Sequence, residues 1–222
     1  MKSDVFTMMI IGSIIPDMEY FLRFNPASGF SHTIKGVFLF DLPLCMLFFY
    51  LWKLYLKDVL ILTLPYLRKD KHVFSEGGST TVLLFAALFG IATHLIWDAF
   101  THGKGYFVLQ SDFLQKQLEV GGMQIKMCYF IWYVCSFIGT GWVLFTFFSL
   151  KKKSVLPYDS ISDFWPQVLF STLMIAVIRI AMGLSHNVPR HLIIILLGAF
   201  IYSFLIIGYA TLQNYKHKKK HQ

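Results

Sequence analysis

Charge is what this chain has least of. Only 14% of its 222 residues are charged, whereas 56% are hydrophobic and 18% aromatic. A soluble domain of this length has no core large enough to bury so much apolar side chain, which excludes a water-soluble globule and predicts an integral membrane protein. As a single residue type, cysteine is scarcer still, with 3 in the chain. Cys45, Cys128 and Cys135 fall inside apolar stretches, show no CxxC spacing and leave an odd one over, so neither a disulfide framework nor a zinc knuckle is indicated. No cleavable leader is expected either, because Ile11 to Ile15 runs straight into Pro16 and Asp17 with no small-residue cleavage site. Strand-like alternation of apolar and polar residues is missing too, which argues against a membrane barrel.

Long apolar runs take their place. Six segments, at about 5 to 22, 34 to 56, 81 to 101, 127 to 150, 167 to 185 and 191 to 212, are each long enough to cross a hydrocarbon core roughly 30 Å thick. The expected fold is an all-α transmembrane bundle forming a single domain over residues 1 to 222. Pro16 inside the first segment can kink it and free backbone carbonyls near Asp17 and Glu19. Ser31 or Thr33 is placed to cap the second helix, with His32 at its mouth. Between the third and fourth segments lies a mixed loop with Gly103, Gly105, Gly121 and Gly122, and a short amphipathic helix is expected at Ser111 to Leu118.

The charge that exists is uneven: 20 Lys and Arg stand against 12 Asp and Glu. Six spans put both termini on one side, which collects Lys2, Lys57, Arg68, Lys69, Lys71, Lys151 to Lys153 and the tail lysines. That bias predicts cytoplasmic termini and attraction to anionic membrane lipid, with no nucleic-acid partner. One consequence bears on function. Asp17, Glu19, His32, His94, Asp98, His102, His186 and His191 then all lie toward the extracytoplasmic face.

The densest of these groups is the stretch THLIWDAFTH at residues 93 to 102. On a helix His94, Asp98 and His102 step by four, each displaced by roughly 40° and about 6 Å from the last. They form one polar stripe of two imidazoles and a carboxylate, the donor types that hold a divalent metal; alternatively each finds its own hydrogen bond in a core. Asp17, directly after Pro16, points inward as a further ligand or pairs with Arg23. Asp41, nine residues beyond His32 and deeper, is either an orienter of a ligand imidazole or an internal anchor before Pro43. His186 and His191 flank Arg190, and an Arg beside a metal site suits a phosphate or other anion, although the trio also fits a plain interfacial anchor.

Three blocks in order, IIGSIIPDMEYFLRF, FSHTIKGVFLFDLPL and THLIWDAFTHGKGYF, resemble an uncharacterised family of bacterial multi-pass membrane proteins classed as a domain of unknown function. That family is in turn distantly similar to metal-dependent inner-membrane hydrolases and, through the helical HxxxD pattern of His94 and Asp98, to the zinc-dependent phospholipase C and P1-nuclease group. The resemblance implies Asp17, His32, His94, Asp98 and His102 as metal ligands, with zinc the implied ion and the bacterial inner membrane the implied location. Family members usually begin with a longer segment holding a Phe-Ser-His-Pro-like element. Starting at Met1 without it, the chain is expected to be shortened or to lack that ligand, and no second HxxxE helix like that of the soluble zinc enzymes is expected, so a full trinuclear centre is not supported.

The expected function is therefore hydrolysis of a lipid-linked or phosphoester substrate at a zinc site on the extracytoplasmic end of the bundle. Glu19 or Asp41 would act as base, and Arg23, Arg190 and His186 would receive an anionic group. The alternative is a non-enzymatic membrane protein whose polar cluster handles an ion or protons or fixes helix packing.

Overall fold

The computed structural model describes residues 3–25, 29–64, 77–149, 163–183 and 188–220. It is an all-α bundle with one small hairpin, and among the described residues six helices are long and apolar enough to cross a membrane. The chain is embedded in lipid. The expected loop cations Arg68, Lys69, Lys71 and Lys151 to Lys153, and the turn that carries His186, lie outside the described residues.

Helix α1 spans Ser3–Arg23 and continues through the buried Pro16. Proline has no N–H for the Gly12 carbonyl, so the turn from 12 to 16 is held less tightly than its neighbours. Helix α2, Ile34–Thr63, starts where the Thr33 hydroxyl accepts from the Gly36 amide at 3.0 Å, the cap expected from the sequence. Two turns of α2 are widened into π-helix, Val37–Asp41 and Trp52–Leu56. The first lies just ahead of Pro43, whose ring would clash with a regular preceding turn. Helix α3, Thr80–Thr101, is capped by Ser79, whose hydroxyl accepts from the Val82 amide at 3.4 Å.

The loop that follows differs from the expectation of one amphipathic helix. Two four-residue helices, α4 (Tyr106–Leu109) and α5 (Asp112–Gln115), lead into an antiparallel pair, β1 (Gln117–Val120) and β2 (Met123–Lys126). Gly121 and Gly122 form its two-residue turn at φ +59 and +80, a conformation that glycine adopts without steric cost. Helix α6 (Met127–Ser149) follows at once, then α7 (Phe164–Ala181) and α8 (Val188–Lys220). The last helix runs on past the expected end at about 212, carrying the basic tail as helix to Lys220.

The main core lies between α1, α2 and α3 and includes Met8, Ile15, Met18, Cys45, Phe49, Ala87 and Ile91. The crossing of α1 with α3 is made of small residues. A side chain on Gly90 would run into the Met9 carbonyl and into backbone at Ser13 and Gly12, while Ala86 and Ala87 are buried beside it. Without a hydrophobic driving force between helices in lipid, such close backbone approach is what favours their pairing. A second contact joins α1 to α8, where the Tyr202 hydroxyl donates to the Leu22 carbonyl at 3.2 Å and the Tyr202 and Phe24 rings stack. Because α1, α2 and α3 alternate in direction, the C-terminal ends of α1 and α3 and the mouth of α2 meet at one end of the bundle.

Candidate metal centre

At that end the structure gathers Asp17 from α1, His32 from the turn before α2, and His94, Asp98 and His102 from α3 and its C-terminal cap. One ligand atom each from Asp17, His32 and His94 lies within 4.8 Å of the others. The side chains are packed in by Tyr20, whose ring centroid is 5.9 Å from that of His32, and the His32 and His94 rings meet edge to face at 5.7 Å.

His94 is the best defined of the five. Its Nδ1 is 2.8 Å from the Ser13 carbonyl oxygen, which can only accept, so Nδ1 carries the hydrogen. The neutral ring then presents a lone pair at Nε2. That atom is buried and has no hydrogen-bond partner. Asp98 Oδ2 stands 3.4 Å from it and Asp17 Oδ1 3.8 Å, but neither is aligned for a hydrogen bond. A lone pair facing two carboxylates is repulsive until a positive charge enters, and that charge is either a proton on His94 or a metal cation.

Asp98 joins the imidazoles. Its Oδ2 is 3.2 Å from His32 Nε2 as well as 3.4 Å from His94 Nε2, and its Oδ1 is 3.2 Å from His102 Nδ1. In a tetrahedral zinc site with ligands at about 2.0–2.2 Å, neighbouring donor atoms stand roughly 3.3–3.6 Å apart. The spacings around Asp98 fall close to that range, whereas Asp17, at 3.8 Å from His94 Nε2, would have to move inward to share an ion with them. His102 itself has left the helix, with φ −94 and ψ 137, yet its amide still donates to the Asp98 carbonyl at 2.9 Å and its side chain turns back to the carboxylate. Its side chain is 52% exposed against 13% for His94, which makes it the rim of the site.

Glu19 holds His32 in place. Its Oε2 accepts from the Ser31 amide at 2.9 Å and its Oε1 from Arg23 at 2.8 Å, with the residue only 4% exposed. The Ser31 hydroxyl in turn contacts His32 Nδ1 at 2.9 Å. Glu19→Ala is therefore expected to free the turn before α2 and to cost about 1.5–3 kcal/mol, the worth of a hydrogen bond to a charged group. Thermal unfolding in detergent reads the loss, and an unchanged midpoint would remove Glu19 from this role.

A family described as a domain of unknown function, DUF4184, matches residues 2 to 210. The chain belongs to the DUF4184 family. No curated protein and no solved structure matches it.

The remaining candidates of this DUF4184 chain are placed as follows. Asp41 is fully buried, and neither oxygen has a hydrogen-bond partner; it does not orient His32 or His94, whose Nδ1 atoms are engaged by Ser31 and Ser13. Arg23 is tied to Glu19. Arg190 lies with its guanidinium carbon 5.6 Å from the centre of the Tyr20 ring, and His191 Nε2 is 2.9 Å from the Phe24 carbonyl oxygen. His186 lies outside the described residues. Sequence reasoning missed the Ser13 carbonyl and Ser31. The first had one signal, Pro16 three residues on, which loosens that turn; the second stands next to His32.

Proposed function

We propose that this DUF4184 protein is a metal-dependent hydrolase of the bacterial inner membrane. In this reading Asp17, His32, His94 and Asp98 hold one divalent ion at the extracytoplasmic end of the bundle, and both termini are cytoplasmic. The observation that carries the reading is the buried His94 Nε2, a lone pair grouped with donor atoms of Asp17 and His32 and 3.4 Å from Asp98 Oδ2. Imidazole and carboxylate are both donor types that zinc takes. Such an ion supplies Lewis-acid polarisation of a scissile bond and brings the pKa of water down to about 7.

The chain's own residues have separate tasks. The Ser13 carbonyl fixes the His94 tautomer, Glu19 fixes the turn bearing His32, and Asp98 fixes His102. His102, being half exposed, exchanges protons with water at the rim. Arg190, resting on Tyr20 and without an ion pair among the described residues, receives an anionic group such as a phosphate. Arg23 is less suited, since Glu19 already neutralises it. A site at membrane level favours a lipid-linked or phosphoester substrate.

One observation favours a second reading. The contacts of His102 and His32 with Asp98, both 3.2 Å, link the exposed rim to a partly buried imidazole and would equally serve proton movement. Elemental analysis of the detergent-purified protein separates the two. About one zinc per chain, lost in His94→Ala and in Asp17→Asn, is expected for the metal reading, and screening of phosphoester and lipid substrates then follows. Metal-free wild type that remains folded would leave the proton reading alone standing.

A further inference from the structure

Asp41 has no part in the cluster just described, and it is the strangest group nearby. It ends the first π-helical stretch of α2, its residue is 0% exposed, and both carboxyl oxygens lack hydrogen-bond partners. The titratable groups facing it are Glu19 from α1, His94 from α3, His32 just upstream of α2, and Cys45 one turn further along its own helix. None offers it a proton or a cation directly. The His32 and His94 Nδ1 atoms are turned to Ser31 and Ser13, and the Nε2 atoms toward Asp98. Glu19 is bonded to Ser31 and Arg23. No ion pair reaches Asp41 among the described residues.

An ionised carboxylate in that position would have given up its hydration with nothing in return, whereas a neutral carboxylic acid loses far less on transfer from water. Ionisable side chains enclosed in a membrane bundle are rare enough that a purpose is expected for one. We propose that Asp41 is a buried proton-binding site, which releases its proton when a divalent cation occupies the neighbouring His/Asp cluster. The first half stands on burial and missing partners alone; the second rests on the metal reading above. In the release step the carboxyl O–H bond breaks, its electron pair stays on the oxygen, and the proton leaves to solvent water at the rim. A double positive charge placed among His32 and His94 acts electrostatically on Asp41 and favours its anion. By linkage the coupling is reciprocal, so a proton on Asp41 weakens binding of the cation. Asp41 becomes a proton acceptor only in the loaded protein, which makes it a base that is armed by the metal.

Infrared spectroscopy of the metal-free protein between pH 5 and 7 tests the first half. The expected result is a carboxylic-acid C=O stretch in wild type that is missing from Asp41→Asn. Should the variant fail to fold, wild type carrying carboxyl-13C aspartate answers the same question, because the band must then shift. A wild-type spectrum without a protonated aspartate overturns the proposal whatever the metal does. Zinc titration tests the second half: the band is expected to vanish, with about one more proton released per zinc in wild type than in Asp41→Asn. A band that persists at saturating zinc overturns the release step. Failure to bind zinc at all, read by elemental analysis, overturns the release step together with the metal reading but leaves the protonated Asp41 in place.

Discussion

Asp98→Asn is expected to lower zinc affinity by at least about 100-fold, beyond the roughly 10–100-fold typical of losing a residue that only supports a ligand. Its carboxylate touches all three histidines of the cluster, through Oδ2 to His32 and His94 and through Oδ1 to His102. Asparagine keeps the shape but replaces one oxygen by an NH2 group and removes the charge. Only Asp17 is then left to balance a divalent ion. Competition with a chromophoric chelator measures the affinity, and metal-dependent activity is expected to disappear with it. Affinity within a few-fold of wild type would mean that Asp98 neither ligates nor orients, and the cluster would have to be rebuilt around Asp17, His32 and His94.

Gly90→Val is expected to destabilise the protein by at least the upper end of about 1–3 kcal/mol, the usual cost of forcing atoms into a packed core. The groups in the way are backbone: the Met9 carbonyl, the Ser13 amide nitrogen at 2.9 Å and the Gly12 Cα at 3.0 Å from the added carbon. None can move without moving α1. The two helices must separate, and the Ser13 carbonyl that holds His94 moves with α1, so zinc affinity falls along with stability. Gly139→Val is the control, because a side chain at Gly139 meets nothing within 4 Å. Unfolding of both variants in a denaturing detergent gives the comparison. If Gly90→Val unfolds like Gly139→Val, the close crossing does not hold the fold.

Much of this arrangement was legible because apolar length and helical spacing are local properties. The six spans follow from runs of apolar residues, and His94, Asp98 and His102 announce themselves by steps of four. The gathering of Asp17 and His32 with them follows from alternation of span direction alone. What the sequence left open depends on side-chain direction across helices. Asp98 and Glu19 are both acids near a helix end, yet one joins three imidazoles and the other holds the amide of Ser31. Spacing cannot distinguish them. The hairpin was missed although Gly121-Gly122 sits between two four-residue segments, because Leu118, Val120, Met123 and Ile125 alternate too briefly to stand out among so many apolar residues.

Every member of the cluster, from Asp17 to His102, belongs to the first 102 of 222 residues. During synthesis the constellation is therefore complete once α3 has entered the membrane, ahead of α7 and α8. Until they follow, the nascent chain holds its polar cluster among three helices that α7 and α8 have yet to flank, and Arg190 joins it only with α8.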